Sequence, residues 1–263
     1  MSPIEFILVE TPTVALGIII VAGAVAISIG GLLFARRVIR IEKLKISHEI
    51  SGNLFHTLGV IYAVVLAFMV IIAWENFDRI DTNVSKEANC YAALSRDANA
   101  LSEPFRNQAN EAIGVYVKAV VEEEWPMLAW GERSAHTHDL FTEIWDIYLS
   151  YEPETKSEEI FFTASVEKLN EAGELRTQRI MDSRSHFHPI LWSVLLAGWV
   201  ITMVFSYFLI AEKLRTQIFM TALFSAIIAL ILFTILVLDF PFAGHMGIKP
   251  DAFQPILMYL GSG

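Results

Sequence analysis

Four uninterrupted apolar stretches stand out along the chain: Thr13 to Ala35, Leu54 to Trp74, Ile190 to Ala211 and Thr216 to Leu238. About 20 mostly apolar residues cross a hydrocarbon core of about 30 Å. Lipid offers the backbone no hydrogen-bond partner, so each stretch is expected to be a spanning helix. The first has no Lys or Arg before Arg36 and a long apolar run. It reads as a retained anchor rather than a secretory signal.

Between the second and third stretches the pattern turns amphipathic. Ile80, Val84, Tyr91, Leu94, Ala98 and Leu101 recur at three-, four- and seven-residue steps, one face of a helix. No Gly or Pro occurs from Val60 to Glu103, so span two is expected to run on as one rod. Pro104 suits the first turn of a second helix, which carries Phe105, Ile113, Tyr116, Val117 and Val120 and ends near Trp125-Pro126. Thr137 is the expected cap of a third helix, closed by Pro153. Ser157 with Glu158 and Glu159 marks the start of a last one running towards His188. Residues 75–101 and 158–187 would form antiparallel rods of roughly 40 and 45 Å. No internal repeat or low-complexity segment is present.

The expected fold is therefore all-α: an integral membrane protein with four transmembrane helices and a helical soluble domain inserted between helices two and three. Residues 1–53 hold the first transmembrane helix and a basic cytoplasmic link, and 54–74 the second transmembrane helix. Residues 75–188 form the acidic helical domain, 189–240 transmembrane helices three and four, and 241–263 a C-terminal tail.

Charge sharpens this division. Of 263 residues 54% are apolar and 18% charged, against roughly 45–50% and about 25% for soluble domains. Residues 75–184 hold 22 acidic and 11 basic side chains, whereas the rest of the chain is nearly neutral. A single cysteine excludes a disulfide scaffold and a zinc ribbon, and the acidic balance excludes a nucleic-acid binder. Arg36, Arg37, Arg40, Lys43, Lys45, Lys213 and Arg215 lie in the two short links, against Lys249 alone on the other side. Both links are thus expected in the cytoplasm, with the termini and the helical domain outside.

No nucleophile elbow, Walker loop, dinucleotide fingerprint or zincin motif is present, so no enzyme and no cofactor are expected. Cys90 reads as a small buried hydrophobe. The pairs His136/His138 and His186/His188 do not share a helix face, and Glu122-Glu123-Glu124 reads as a solvated helix end. In span two, Gly59, Ala63 and Ala67 recur at four-residue steps, as do Ala22, Ala26 and Gly30 in span one. Such faces serve helix packing within one chain, or a subunit contact or pore wall. His56 is the only ionisable side chain well within a span. It is a functional candidate by default, or else an interfacial group near the span's entrance. Glu75 and Asp239 close spans two and four. They are either boundary acids or, in an oligomer, rings of carboxylates at a pore mouth. Pro241, Phe242 and Gly244 favour a tight structural turn in which the chain re-enters.

The order and spacing of several short pieces resemble the bestrophin-like family of bacterial membrane proteins over about residues 54–256. They are Leu66-Ala67-Phe68 with Trp74-Glu75, Glu87-Ala88-Asn89 followed by Leu94, Glu124-Trp125-Pro126, Arg176 with Arg179, Pro189-Ile190-Leu191-Trp192, and Leu238-Asp239 with Pro241-Phe242 and Gly244. Bestrophins are more distant: pentameric anion channels whose second span lines an apolar constriction. The resemblance implies a homo-oligomer, a pentamer, in which His56, Gly59, Ala63, Val64, Ala67 and Phe68 are candidate pore-lining residues. Met69 and Ala73 stand where that stretch of bestrophin carries arginines, so no basic residue faces an anion there. The basic-residue count also sets the helical region outside, whereas that of bestrophin is cytosolic.

The leading expectation is an oligomeric ion channel, gated by dewetting at residues such as Phe68 and Val64, with cations favoured by its acidic mouth. Its partners would be membrane lipids and inorganic ions. The rival is a non-conducting sensor or assembly protein whose helical domain binds a partner. Transport by broken helices has no sequence signal.

Overall fold

The computed structural model describes residues 3–38, 48–209 and 213–261. The described residues are helical, with no strand. Arg40, Lys43 and Lys45, which carried part of the orientation argument, lie outside them. Four helices are long and apolar enough to cross a membrane. The chain divides into two compact units.

One unit comprises residues 10–76 and 186–239. It contains α2 (Thr13–Val38) and the first part of α3 (His48–Ala98). It also holds α8 (Pro189–Tyr207) and α9 (Leu214–Asp239). Lipid tails are as apolar as leucine, so close packing and polar contacts must hold such helices together. Gly17 admits the Phe233 ring, and Gly31 admits Tyr207. Ser28 donates to Ser225 at 2.8 Å across buried faces. Arg36 donates through Nε to Gln217 Oε1 at 2.9 Å, and Gln217 in turn donates to the Leu209 carbonyl at 3.1 Å. Tyr62, Leu66 and Met69 of α3 share an apolar core with Leu195, Met203 and Ile228.

The other unit comprises residues 1–9, 77–185 and 240–263. α1 (Pro3–Glu10), absent from the sequence reading, brings Phe6 to within 6.4 Å of Trp130, centroid to centroid. The remainder of α3 buries Ile80, Val84, Tyr91, Leu94 and Ala98 as its spacing required. α4 (Glu103–Ala119) begins with Pro104 in its first turn. A five-residue π turn, Val120–Glu124, then leads into α5 (Trp125–Leu128).

Three boundaries differ from expectation. α6 (Ala135–Leu149) is capped by Ser134, not Thr137; the Thr137 amide is the group that Ser134 receives. α7 (Lys156–Asp182) starts two residues early, because Thr155 accepts from Glu158 N while the Glu158 carboxylate accepts from Glu154 N. That reciprocal pair outcompetes Ser157 as the cap. α7 also stops at Asp182, six residues short of His188: Arg184 N and Ser185 N fold back to the carbonyls of Met181 and Asp182. His188 instead caps α8. After α9 come a 3₁₀ turn, Pro250–Phe253, and α10 (Gln254–Gly261).

Candidate functional site

α3 starts at His48, six residues before the expected entrance of span two, and continues to Ala98 without a break. At 3.6 residues per turn, Tyr62, Leu66, Met69 and Ala73 form its buried stripe. The candidate residues occupy two other stripes, about a quarter-turn apart. His56, Gly59, Ala63 and Ala67 line an open, almost wholly apolar groove of about 670 Å³, whose further walls include Thr202, Phe224 and Ile228. Val64 and Phe68 lie outside that groove, 49% and 61% exposed. Glu75 follows Phe68 by seven residues, so it shares their stripe. It is exposed.

His56 is exposed, and its neighbour Phe55 makes an edge contact with Phe224, 5.7 Å between centroids. Phe224 is ten residues into α9, or ~15 Å along its axis. The start of the candidate stripe therefore lies level with the second and third turns of α9.

Asp239, expected at a pore mouth, is turned inward and only 4% exposed. Its Oδ1 accepts from the backbone N–H of Phe187 at 2.7 Å, and its Oδ2 accepts from the indole of Trp192 at 3.1 Å. His186 Nδ1 lies 2.9 Å from the Asp239 carbonyl. A burying carboxylate needs such donors, and here the chain's own donors take both oxygens. The two His-x-His pairs are likewise dispersed: His186 is at Asp239, His188 caps Ile190, and His136 meets Glu123 at 2.9 Å. Among the described residues no cluster is placed to hold a metal.

The turn after α9 forms around Gly244, whose φ of 73° is unfavourable for side-chain-bearing residues. Ile248 N donates to the Pro241 carbonyl at 2.7 Å and closes it. Phe242 then meets the Trp125 ring edge-on at 5.7 Å, and the Trp125 indole donates to the Ile248 carbonyl at 3.1 Å. Phe242, Phe253 and Ile256 join the core of the helical unit.

Sequence reasoning missed a buried charge cluster in that unit. Arg179 donates through Nε to Glu87 Oε2 at 2.7 Å and through Nη2 to Glu87 Oε1 at 3.1 Å. Its Nη2 also lies 3.0 Å from Glu124 Oε1, and Arg176 Nη2 donates to Glu124 Oε2 at 3.1 Å. Glu124, read as solvated, is fully buried at the end of the π turn, next to Trp125. Burial opposes the charge on Arg179, but the carboxylates of Glu87 and Glu124 outweigh it and raise the guanidinium pKa. The same burial raises the Tyr116 phenol, which accepts from Tyr91 Oη at 3.1 Å. A signal was available. Glu87 falls on the stripe of Ile80, Val84 and Tyr91, and Arg176 and Arg179 continue the stripe of Leu169 and Ala172, positions that an amphipathic helix reserves for its core.

Residues 22–253 match the bestrophin-like domain. The chain belongs to the bestrophin-like family. The backbone fold of this bestrophin-like protein is similar to that of a bacterial bestrophin homologue from Klebsiella pneumoniae, solved as several single-substitution variants. One aligns with a TM-score of 0.63 at 14% identity, covering 91% of this chain and 98% of that one. Another gives 0.63 at 14%, covering 94% and 97%. No curated protein matches the sequence. Several of the residues that carried the bestrophin-like resemblance gather in two places, each within one unit, whereas Leu66, Ala67, Phe68, Trp74 and Glu75 lie elsewhere along α3. Glu87, Glu124, Trp125, Arg176, Arg179 and Phe242 gather around the charge cluster, whereas Trp192 and Asp239 meet at the end of α9.

Proposed function

We propose that this bestrophin-like protein is an oligomeric ion channel of the bacterial inner membrane, in which the second span of each copy contributes the pore wall. The observation that carries this reading is the stripe of Val64, Phe68 and Glu75 on the exposed face of one unbroken helix. A ring of copies turning that stripe to a common axis has an apolar constriction at Val64 and Phe68, able to gate by dewetting, and a ring of carboxylates at its mouth. With no Lys or Arg between Val64 and Glu75, the mouth favours cations. Asp239, already bonded, supports the end of α9 instead. The resemblance to bestrophins supports five copies around the axis. The small face of Gly59, Ala63 and Ala67 then suits close contact between neighbouring copies, and the basic links favour a helical domain, inserted between spans two and three, on the outer side.

A sensor or assembly role is the second reading. Leu149 and Ile160 of the helical unit, 75% and 69% exposed, are apolar surface that a partner protein would cover. Low-resolution imaging of the detergent-extracted particle separates the two. A symmetric ring with an axial hole supports the channel; a monomer or dimer without one supports the sensor.

A further inference from the structure

We propose that the end of the α2–α9 pair nearest the basic links is a binding collar for the phosphate headgroups of anionic membrane lipids, formed by Arg37, Lys213 and Arg215 around a fixed Arg36. The collar does not depend on whether the protein conducts ions.

α2 and α9 pack antiparallel in a fixed register. Ser28 meets Ser225, and eight residues further along each helix Arg36 meets Gln217. Gln217 is buried, only 3% exposed. Its side-chain oxygen accepts from Arg36 Nε and Nη2, and its amide nitrogen donates to the carbonyls of Tyr207 and Leu209 where α8 ends. One buried amide therefore ties the ends of three spans together. Arg37 is next to Arg36, and Arg215 and Lys213 precede Gln217 by two and four residues. The four basic residues thus start within ~6 Å of one another along the helix axes.

Arg37, Lys213 and Arg215 are exposed, and none of them enters an ion pair among the described residues. Residues 36–47 and 212–215 hold seven basic and two acidic side chains, so the local field is positive. The apolar run of α2 ends at Ala35 and that of α9 begins at Thr216, the level at which headgroups succeed hydrocarbon. Each exposed base stands over an exposed apolar side chain on its own helix face. Arg37 follows Phe34 by three residues, Arg215 precedes Phe219 by four, and Lys213 precedes Met220 by seven. A phospholipid has the matching shape, charge above and hydrocarbon below. A free phosphate would use the cations alone and leave the apolar shelf uncovered, so the lipid is the occupant. Basic residues at a membrane surface attract anionic lipids, and the first turn of α9 adds the positive end of its dipole.

The test uses full-length protein in an uncharged detergent, with its thermal midpoint followed as phosphatidylglycerol is added. A saturable rise in midpoint is expected, which phosphatidylcholine does not produce. R37Q, K213Q and R215Q are each expected to raise the half-saturating concentration about fivefold, and the triple variant about a hundredfold. An unchanged half-saturating concentration in the triple variant overturns the collar, as does equal protection by phosphatidylcholine. Equal protection by glycerol 3-phosphate, which has the charge without the chains, overturns the lipid as occupant. Should the triple variant unfold below the parent's lipid-free midpoint, the single variants decide on the same criterion. Currents recorded in parallel keep the two proposals apart. Silent protein with the phosphatidylglycerol effect removes the channel and leaves the collar, whereas conducting protein without that effect removes the collar alone.

Discussion

The phenol of Tyr62 donates a 2.8 Å hydrogen bond to the carbonyl of Leu195, and its ring fills the space that a Cβ at Gly198 would need. Spans two and three are pinned by that one side chain. Overpacking of a closed contact costs about 1–3 kcal/mol, and a lost hydrogen bond about 1 kcal/mol. Gly198→Ala is therefore expected to lower stability more than Tyr62→Phe, as read by thermal unfolding in detergent. Equal midpoints for both variants and the parent would show that the ring can move aside freely.

Asp239 and Glu75 should separate under mutation. Asp239→Ala strands the Phe187 N–H and the Trp192 indole, at a cost of about 1–3 kcal/mol, and should leave ion preference unchanged. Glu75→Gln touches no ion pair among the described residues and should leave stability unchanged while weakening cation preference. Thermal midpoints and reversal potentials of the two variants test this, and an exchange of the two phenotypes would refute the assignment.

The turn after α9 depends on Gly244. Its φ of 73° makes Gly244→Ala cost about 1–2 kcal/mol. Because that turn leads Phe242 to Trp125, limited proteolysis of the variant should cut within residues 241–263 earlier than in the parent. Identical digestion would mean that the aromatic contacts hold the tail without the turn.

Glu124→Ala removes the carboxylate that accepts from Arg176 and leaves that guanidinium buried without it. Breaking a buried pair on one side costs about 3–5 kcal/mol, which denaturant unfolding in detergent would register as a lower midpoint. An unaltered midpoint would show that Glu124 contributes nothing there.

The parts of the fold legible in the sequence are those set by long-range periodicity. Four apolar runs had to be spanning helices because lipid permits little else, and the stripe from Ile80 to Ala98 had to be a packed face. The helix ends were less legible, since Thr155 and Ser157 are both good caps and only the position of Glu158 decides between them. Glu124 was misread for a different reason: at 3.6 residues per turn it falls in line with the buried Ile113, Val117 and Val120, but its place in a run of three acids suggested a solvated end. Asp239 looked like a boundary acid because its donors, Phe187 and Trp192, are 52 and 47 residues away. Of the candidate conduction face, residue identities were readable. The division of Gly59, Ala63 and Ala67 from Val64 and Phe68 needed the groove walls of α8 and α9.

The central claim is that the Val64–Phe68–Glu75 stripe lines a pore. Reversal potential across a planar bilayer under a potassium chloride gradient, for purified oligomer and for Glu75→Gln, tests it most directly. Cation-favouring current whose reversal potential moves towards zero in the variant is the predicted result. Silent bilayers from verified oligomers, or chloride-selective current that Glu75→Gln leaves in place, would contradict it.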